Sequence, residues 1–184
     1  MIFFKITLKN GVVKGVRTNN QTEEFDLVVS NVDVYNTYKQ LLPNFKAPKR
    51  YLEQPRSSSV IVFYWGMNRE FPELGLHNMF LSDDSKSEYR HLFELNKPFE
   101  DPTIHMTISS KMNASDAPKG QENWAALISV PHNSGQDWDE WVSISRKNVI
   151  TKLNRILKTD IEPHIVAEDI LDPRKVNEDT NAAF

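Results

Sequence analysis

The residues that could carry chemistry in this sequence are scattered, and they form no recognised catalytic pattern. The five histidines stand at positions 77, 91, 105, 132 and 164, without the paired spacing of a metal site. The six glycines are also dispersed, whereas a nucleotide-phosphate cradle needs glycines clustered between a strand and a helix. No serine lies in a Gly-flanked nucleophile elbow, and the chain has no cysteine. From these residues we expect no metal site, no cofactor site and no identifiable catalytic residue within the chain.

Large aromatic and methionine side chains are concentrated in the middle of the sequence, and two interpretations of them stay open. The residues are Phe63, Tyr64, Trp65, Phe80, Met106 and Trp124. Core packing is the favoured interpretation, because large apolar side chains are usually buried. The alternative is a long apolar cleft for a water-insoluble ligand, in which polar groups such as His77, Asn78 and His105 fix the position of the ligand.

The composition narrows the class of protein. The chain has 184 residues, of which 39% are hydrophobic, 22 are Lys or Arg and 25 are Asp or Glu. This length predicts one large domain or two small ones with a real core, and the net charge of -3 argues against binding to nucleic acid. The longest apolar run, Val60 to Trp65, is far shorter than the roughly 20 residues of a membrane-spanning helix.

The first 45 residues predict a hairpin, a strand and a helix. Ile2 to Leu8 and Val12 to Arg17 alternate in polarity around Asn10-Gly11, a typical two-residue hairpin turn. Phe25 to Val29 predicts a third strand, and a helix is expected from about Asp33 to Leu42. Residues 46–57 contain Pro48 and Pro55 and several basic residues, and Pro43 precedes them, which indicates a connection between two parts of the chain.

Residues 58–184 predict one mainly antiparallel sheet with flanking helices, so the fold class is α+β with an α/β-like N-terminal edge. The four expected strands are Val60 to Trp65, Leu76 to Leu81, Ile104 to Ile108 and Trp124 to Val130, and a last strand is expected at His164 to Ala167. Val60 to Trp65 is apolar on both faces, which predicts a central strand covered on both sides. Helices are expected at residues 85–95 and 137–158 from capping patterns and apolar spacing.

A series of short motifs resembles the bacterial and fungal FAD-dependent phytoene desaturases and related carotenoid oxidoreductases. In chain order these motifs are Gly15-Val16-Arg17, Phe25 to Asp33, Leu41-Leu42-Pro43, Ser57 to Val60 with Tyr64-Trp65-Gly66, Leu76 to Ser82, Asp101-Pro102-Thr103, Asp116 to Gly120, and Val130-Pro131-His132 with Asp137-Trp138. The flavin fingerprint of that family is absent from this sequence. The resemblance therefore implies an internal fragment, with the flavin-binding loop elsewhere in a longer parent chain.

The resemblance implies a fold, an activity and partners for that parent. It implies the substrate domain of a flavin amine-oxidase-like fold, in which residues 1–45 belong to the flavin-domain layer and residues 58–184 bind substrate. The implied reaction is desaturation of phytoene or a related C30 or C40 polyene by hydride transfer to FAD. The implied partners are the polyene, the flavin domain of the same chain and, through peripheral contact, a membrane, in a cytoplasmic protein. FAD is expected in the parent and not on this fragment.

The candidate channel residues under this resemblance are Phe63, Trp65, His77, Phe80 and Trp124, and no catalytic residue is assigned. The rival hypothesis is a non-catalytic ligand-binding or protein-interaction domain, in which the aromatic strands form an ordinary core.

Overall fold

The computed structural model describes residues 3–19 and 21–180, and the chain divides into two compact units. The first unit contains the residues up to Arg56 and those from Val176 onward. The second unit is Ser57–Lys175. The boundary falls within the predicted connection at 46–57, while the assignment of the two parts to flavin and substrate layers stays a prediction.

The first unit contains a three-stranded antiparallel sheet. Its strands are β1 (Phe3–Lys9), β2 (Val12–Thr18) and β3 (Thr22–Glu24), in the order β1-β2-β3. Asn10 and Gly11 both adopt positive φ, as a tight hairpin turn requires, so the predicted hairpin is confirmed. The unit also contains α1 (Val34–Asn36), which continues as a π-helical turn (Thr37–Leu41), and the short α2 (Lys49–Leu52).

The predicted strand at Phe25 to Val29 is wrong. β3 ends at Glu24, and residues 25–33 have no regular secondary structure. Leu27 and Val29 are 76% and 83% exposed. An apolar run holds a strand conformation when a neighbouring strand pairs with it. Here the pairing with β2 ends at Phe25, whose N–H donates to Lys14 O at 3.0 Å, and the rest of the run has no strand partner among the described residues.

A five-stranded antiparallel sheet is the centre of the second unit. Its strands are β4 (Ser59–Met67), β5 (His77–Phe80), β6 (Ile104–Thr107), β7 (Glu122–Val130) and β8 (Ile165–Leu171). They lie in the order β5-β6-β7-β4-β8, and each neighbouring pair is antiparallel. The predicted α+β class and mainly antiparallel sheet are confirmed. The last strand is longer than predicted, because its pairing with β4 continues to Leu171.

The predicted position of β4 needs a correction. β4 is an interior strand, but β7 is the central one. One face of β4 is fully covered, whereas on the other face Tyr64 is 43% exposed. The apolar run at 60–65 therefore reflects one core face and one partly open face.

The predicted helices of the second unit are present. α3 (Ser85–Arg90) continues as a π-helical turn (His91–Leu95), and α4 (Trp138–Leu157) begins after its N-cap Asp137. The N-cap of α3 is Asp84, since its carboxylate accepts a hydrogen bond from Ser87 N. Short 3-10 turns lie at Ser109–Lys111, Ala114–Asp116 and Glu162–His164, and α5 (Pro173–Thr180) follows β8.

The core of the second unit lies on the face of the sheet that packs against α4. Alternate side chains of β4, β6 and β7 are buried there together with α4 side chains, namely Ile61, Phe63, Trp65, Met67, Ile104, Met106, Trp124, Ala126, Ile128, Val130, Trp138, Val149, Ile150 and Leu153. The Phe71 ring packs edge-on against the Trp124 ring, with 4.8 Å between their centroids. No helix in the described ranges is both long and apolar enough to cross a bilayer.

We predict that the Leu153→Ala substitution lowers the free energy of unfolding by about 3 kcal/mol, because it opens a cavity in this core. Leu153 is completely buried, whereas Ile156 on the same helix is 42% exposed. The matched control Ile156→Ala is expected to cost about 1 kcal/mol or less. Chemical denaturation of both variants measures the difference, and equal losses would contradict the assigned core face.

Candidate functional site

The face of the five-stranded sheet that points away from the α4 core is the candidate functional site, and we call it the open face. Strand register places its side chains in rows across the sheet. The Tyr64 row contains the directly opposed residues His77, Thr107, Ala125, Tyr64 and Asp169. The Met79 row beside it contains Met79, His105, Leu127, Val62 and Leu171. At about 4.8 Å between strands, each row is about 19 Å long.

Small residues make a trough in the open face next to Tyr64. Gly66 lies opposite Ala167, and a side chain added at Gly66 would approach the Ala167 Cβ to 3.2 Å. The trough has a volume of about 420 Å³, and Ala125 and Asn123 also line it. Tyr64 (43% exposed) and Met79 (59% exposed) present large apolar surfaces on the same face. Ligand sites are mostly apolar with a few placed polar groups, and the open face has that composition around its trough.

Lys152 of α4 contacts the chain at the end of the sheet where β5 ends and β6 begins. Its side chain is buried, and its ammonium donates to the backbone oxygens of Leu81 (2.8 Å) and Pro102 (2.9 Å). It also forms an ion pair with Asp101 at 2.9 Å. Burial opposes ionisation of Asp101, but the hydrogen bond from Asp83 N and the charge of Lys152 hold the pKa of the Asp101 carboxyl below its ordinary value.

Glu88 forms a second set of hydrogen bonds at the same end of the sheet. Its buried carboxylate accepts hydrogen bonds from Thr103 N and Thr103 Oγ1, each at 2.7 Å. Thr103 Oγ1 in turn accepts from Ser82 N at 3.1 Å. Together the Lys152 and Glu88 contacts join α4 and α3 to the β5–β6 pair, which carries His77, Met79, His105 and Thr107 of the open face.

Two core tryptophans donate their indole N–H groups to carboxylates that are themselves paired with cations. Trp65 donates to Glu168 at 2.7 Å, and Glu168 accepts two hydrogen bonds from Arg146. Trp124 donates to buried Glu122 at 2.8 Å, and Glu122 pairs with Lys111. These contacts satisfy the polar atoms of large buried rings, so the two tryptophans have the environment of core residues.

The five candidate channel residues are divided between the two faces of the sheet. Phe63, Trp65 and Trp124 are buried together in the core, with the Phe63 and Trp65 rings stacked at 5.5 Å. Phe80 is half-buried and packs against the same cluster. His77 lies on the open face and is exposed. Contact with a ligand stays a prediction for all five residues.

Two more residues of the open face, Tyr64 and His105, were part of the cleft interpretation of the sequence, whereas the rest of that face was not. Tyr64 stood in the aromatic run, but its neighbours Ala125, Leu127 and Met79 have no chemical signature of their own. Alternation in β6 is a usable signal, since it places Ile104 and Met106 on one face and His105 and Thr107 on the other. Extending that alternation to β7 would have identified Ala125 and Leu127.

The described residues do not form a cradle for FAD or a cluster for a metal ion. Gly11, Gly15, Gly120 and Gly135 have positive φ but lie in separate turns, without the glycine loop between strand and helix that holds a dinucleotide. No group of three or more His, Asp or Glu side chains converges in the described part of the chain. Residues 3–19 and 21–180 therefore offer no glycine loop of this kind for the flavin expected of the parent protein.

Comparisons with curated proteins give carotenoid-modifying enzymes as relatives. A 1-hydroxycarotenoid 3,4-desaturase of Flavobacterium sp. (strain P99-3) is 42% identical over 97% of this chain and 36% of its own length. A 4,4'-diaponeurosporene oxygenase of Staphylococcus haemolyticus is 33% identical over 89% of this chain and 34% of its own. A phytoene desaturase of Fusarium fujikuroi is 30% identical, with coverage of 89% and 32%. The chain is a homologue of the carotenoid desaturases.

The resemblance predicted from the sequence motifs is thus confirmed, and the chain spans about a third of the length of these relatives. No family model matches the sequence. The crystal structure of an oxidoreductase from Methanosarcina mazei superposes with a TM-score of 0.63 at 13% identity, covering 91% of this chain and 36% of that one. That likeness supports the fold of this desaturase homologue.

We predict that Asp101→Asn lowers the unfolding free energy by about 2 kcal/mol at neutral pH, because Lys152 loses its counter-ion in a buried setting. The pKa of Asp101 is depressed in the folded protein, so its ionised form contributes stability above the ordinary aspartate pKa. That contribution is lost as the pH falls through the depressed value. Denaturation of both proteins from pH 7 to pH 2 should show a gap that closes in acid, and a gap independent of pH would contradict the assignment.

Proposed function

We propose that this chain is the substrate-binding part of an FAD-dependent carotenoid oxidoreductase, and that the open face forms one wall of its polyene site. The observation that carries the proposal is the exposed apolar surface of Tyr64, Met79 and the trough, in a homologue of enzymes that act on carotenoids. The Flavobacterium relative is 42% identical to this chain, compared with 33% and 30% for the other two relatives, so we infer a hydroxylated carotenoid as substrate.

Desaturation removes two hydrogens from a carbon–carbon single bond, so it requires a two-electron acceptor. In the proposed enzyme, FAD bound by other parts of the parent protein supplies that acceptor. The residues of this chain hold the polyene in place and exclude water from it. A rigid wall is useful for this task, because hydride transfer depends on close and well-oriented approach of the reacting atoms.

The geometry of the open face suits a flat, extended ligand. Its rows are about 19 Å long, and the small side chains at Gly66, Ala125 and Ala167 let a polyene lie close to the backbone. Tyr64 stands beside this floor as a broad ring surface. Burying a long hydrocarbon here would gain roughly 25 cal/mol for each Å² of apolar surface removed from water.

We predict that Ala125→Phe abolishes most carotenoid turnover, with a loss of at least about tenfold in kcat/KM, because its ring fills the trough. The measurement uses the complete FAD-loaded protein, with product detected by the longer-wavelength absorption of the extended polyene. FAD content and thermal unfolding are measured in parallel, and both are expected to stay unchanged.

The matched control is Ala114→Phe, which adds the same ring at an exposed position in a turn of the same unit. This variant is expected to turn over carotenoid at the wild-type rate. Equal activity of the two variants would contradict a substrate site on the open face. Absence of carotenoid oxidation by the wild-type protein would overturn the proposed function itself.

A further inference from the structure

His77 and Thr107 form a polar corner at one end of the Tyr64 row. They lie directly opposite each other in β5 and β6, with 3.3 Å between His77 Nδ1 and Thr107 Oγ1. His77 is exposed and Thr107 is half-buried. The row continues from this corner to Ala125 and Tyr64, so the polar groups stand at the end of an apolar stretch.

The polar corner offers one donor and one acceptor to a third group in either tautomer of a neutral His77 imidazole. If Nδ1 carries the proton and donates to Thr107, the threonine hydroxyl can donate onward and Nε2 can accept. If Thr107 donates to Nδ1, then Nε2–H can donate and Thr107 Oγ1 can accept. A ligand hydroxyl is also both a donor and an acceptor, so it matches this pair in both arrangements.

The backbone before the polar corner is held by hydrogen bonds. Asn78 Oδ1 accepts from Gly75 N at 2.9 Å, and Asn78 Nδ2 donates to Gly75 O at 2.8 Å. Ile108 N donates to Leu76 O at 2.8 Å, which extends the β5–β6 pairing past His77. These contacts fix the start of β5, so His77 projects from a defined position.

The polar group at the opposite end of the Tyr64 row is engaged elsewhere. Asp169 Oδ1 accepts a hydrogen bond from Ile170 N at 2.8 Å and pairs with Lys175 at 3.2 Å. Covering this ion pair with a hydrocarbon would remove both charges from water, which is costly. The polar corner is therefore the better anchor for an uncharged polar end group.

We propose that the polar corner binds the terminal hydroxyl of a hydroxylated carotenoid and thereby selects it over the same polyene without that hydroxyl. This inference rests on the proposed function. The name of the Flavobacterium relative describes a hydroxyl on carbon 1 and desaturation between carbons 3 and 4, so a single carbon separates the hydroxyl-bearing carbon from the oxidised bond. Anchoring the hydroxyl would thus fix the position of that bond and raise kcat/KM for the hydroxylated substrate.

The test compares an acyclic carotenoid hydroxylated at carbon 1 with the same carotenoid lacking the hydroxyl, using the complete FAD-loaded protein. The readout is the ratio of the two kcat/KM values. Wild type is expected to favour the hydroxylated substrate by about tenfold, the usual range for one or two hydrogen bonds to an uncharged group. Thr107→Val and His77→Phe should each reduce the ratio to near one.

Two further variants separate recognition from folding. His77→Gln retains a donor and an acceptor, so it should keep most of the selectivity. Thr151→Val makes the same chemical change as Thr107→Val at an exposed position of α4 and should leave both rates unchanged. Because the readout is a ratio, a general loss of folded enzyme does not change it.

The outcomes distinguish this inference from the function on which it rests. Carotenoid oxidation with no preference for the hydroxyl, or with a preference that survives both Thr107→Val and His77→Phe, overturns the polar corner and leaves the proposed function standing. A preference lost in Asp169→Asn instead also overturns it, in favour of the opposite end of the row. No oxidation of either carotenoid by the wild-type protein overturns both.

Discussion

One-sided packing of α4 against the five-stranded sheet is the constraint on which the second unit depends. Side chains alternate along each strand, so covering one face with a helix commits every second residue to the core. Phe63, Trp65 and Trp124 fill that side, and carboxylates accept hydrogen bonds from the indole N–H groups of the two tryptophans. The residues between them must then point the other way. The open face, with Tyr64 and Met79 exposed, is the direct consequence of this packing.

The same constraint connects stability to function. Lys152 and Glu88 join the helices to the β5–β6 end of the sheet through buried charged groups. Such groups are costly to bury, and they are tolerated where their hydrogen bonds are complete. Here they hold the strands whose other face carries the polar corner. In the proposed function, these contacts hold in place the strands that would contact the polyene.

The sequence predicted the strands and helices of the second unit better than it predicted which face of the sheet α4 covers. Alternation and capping located the strands and α4 to within a few residues, because those signals are local. The run at 60–65 was ambiguous, since apolar residues on both faces do not reveal which face α4 covers. The partner of Trp65 could not be predicted either, because Glu168 lies 103 residues further along the chain. The strand predicted at Phe25 to Val29 is absent although its local pattern was clear. A strand also needs a partner, and most of this run has none among the described residues.

The most direct test of the account is to place a photoreactive phenylalanine analogue at Tyr64 in the complete FAD-loaded protein and irradiate it with bound carotenoid. Tyr89 is the matched control, because it is also an exposed tyrosine of the same unit but lies on α3. The account predicts that mass spectrometry finds carotenoid attached at position 64 and not at position 89. Attachment at position 89, or at neither position while the enzyme oxidises carotenoid, would contradict a polyene site on the open face.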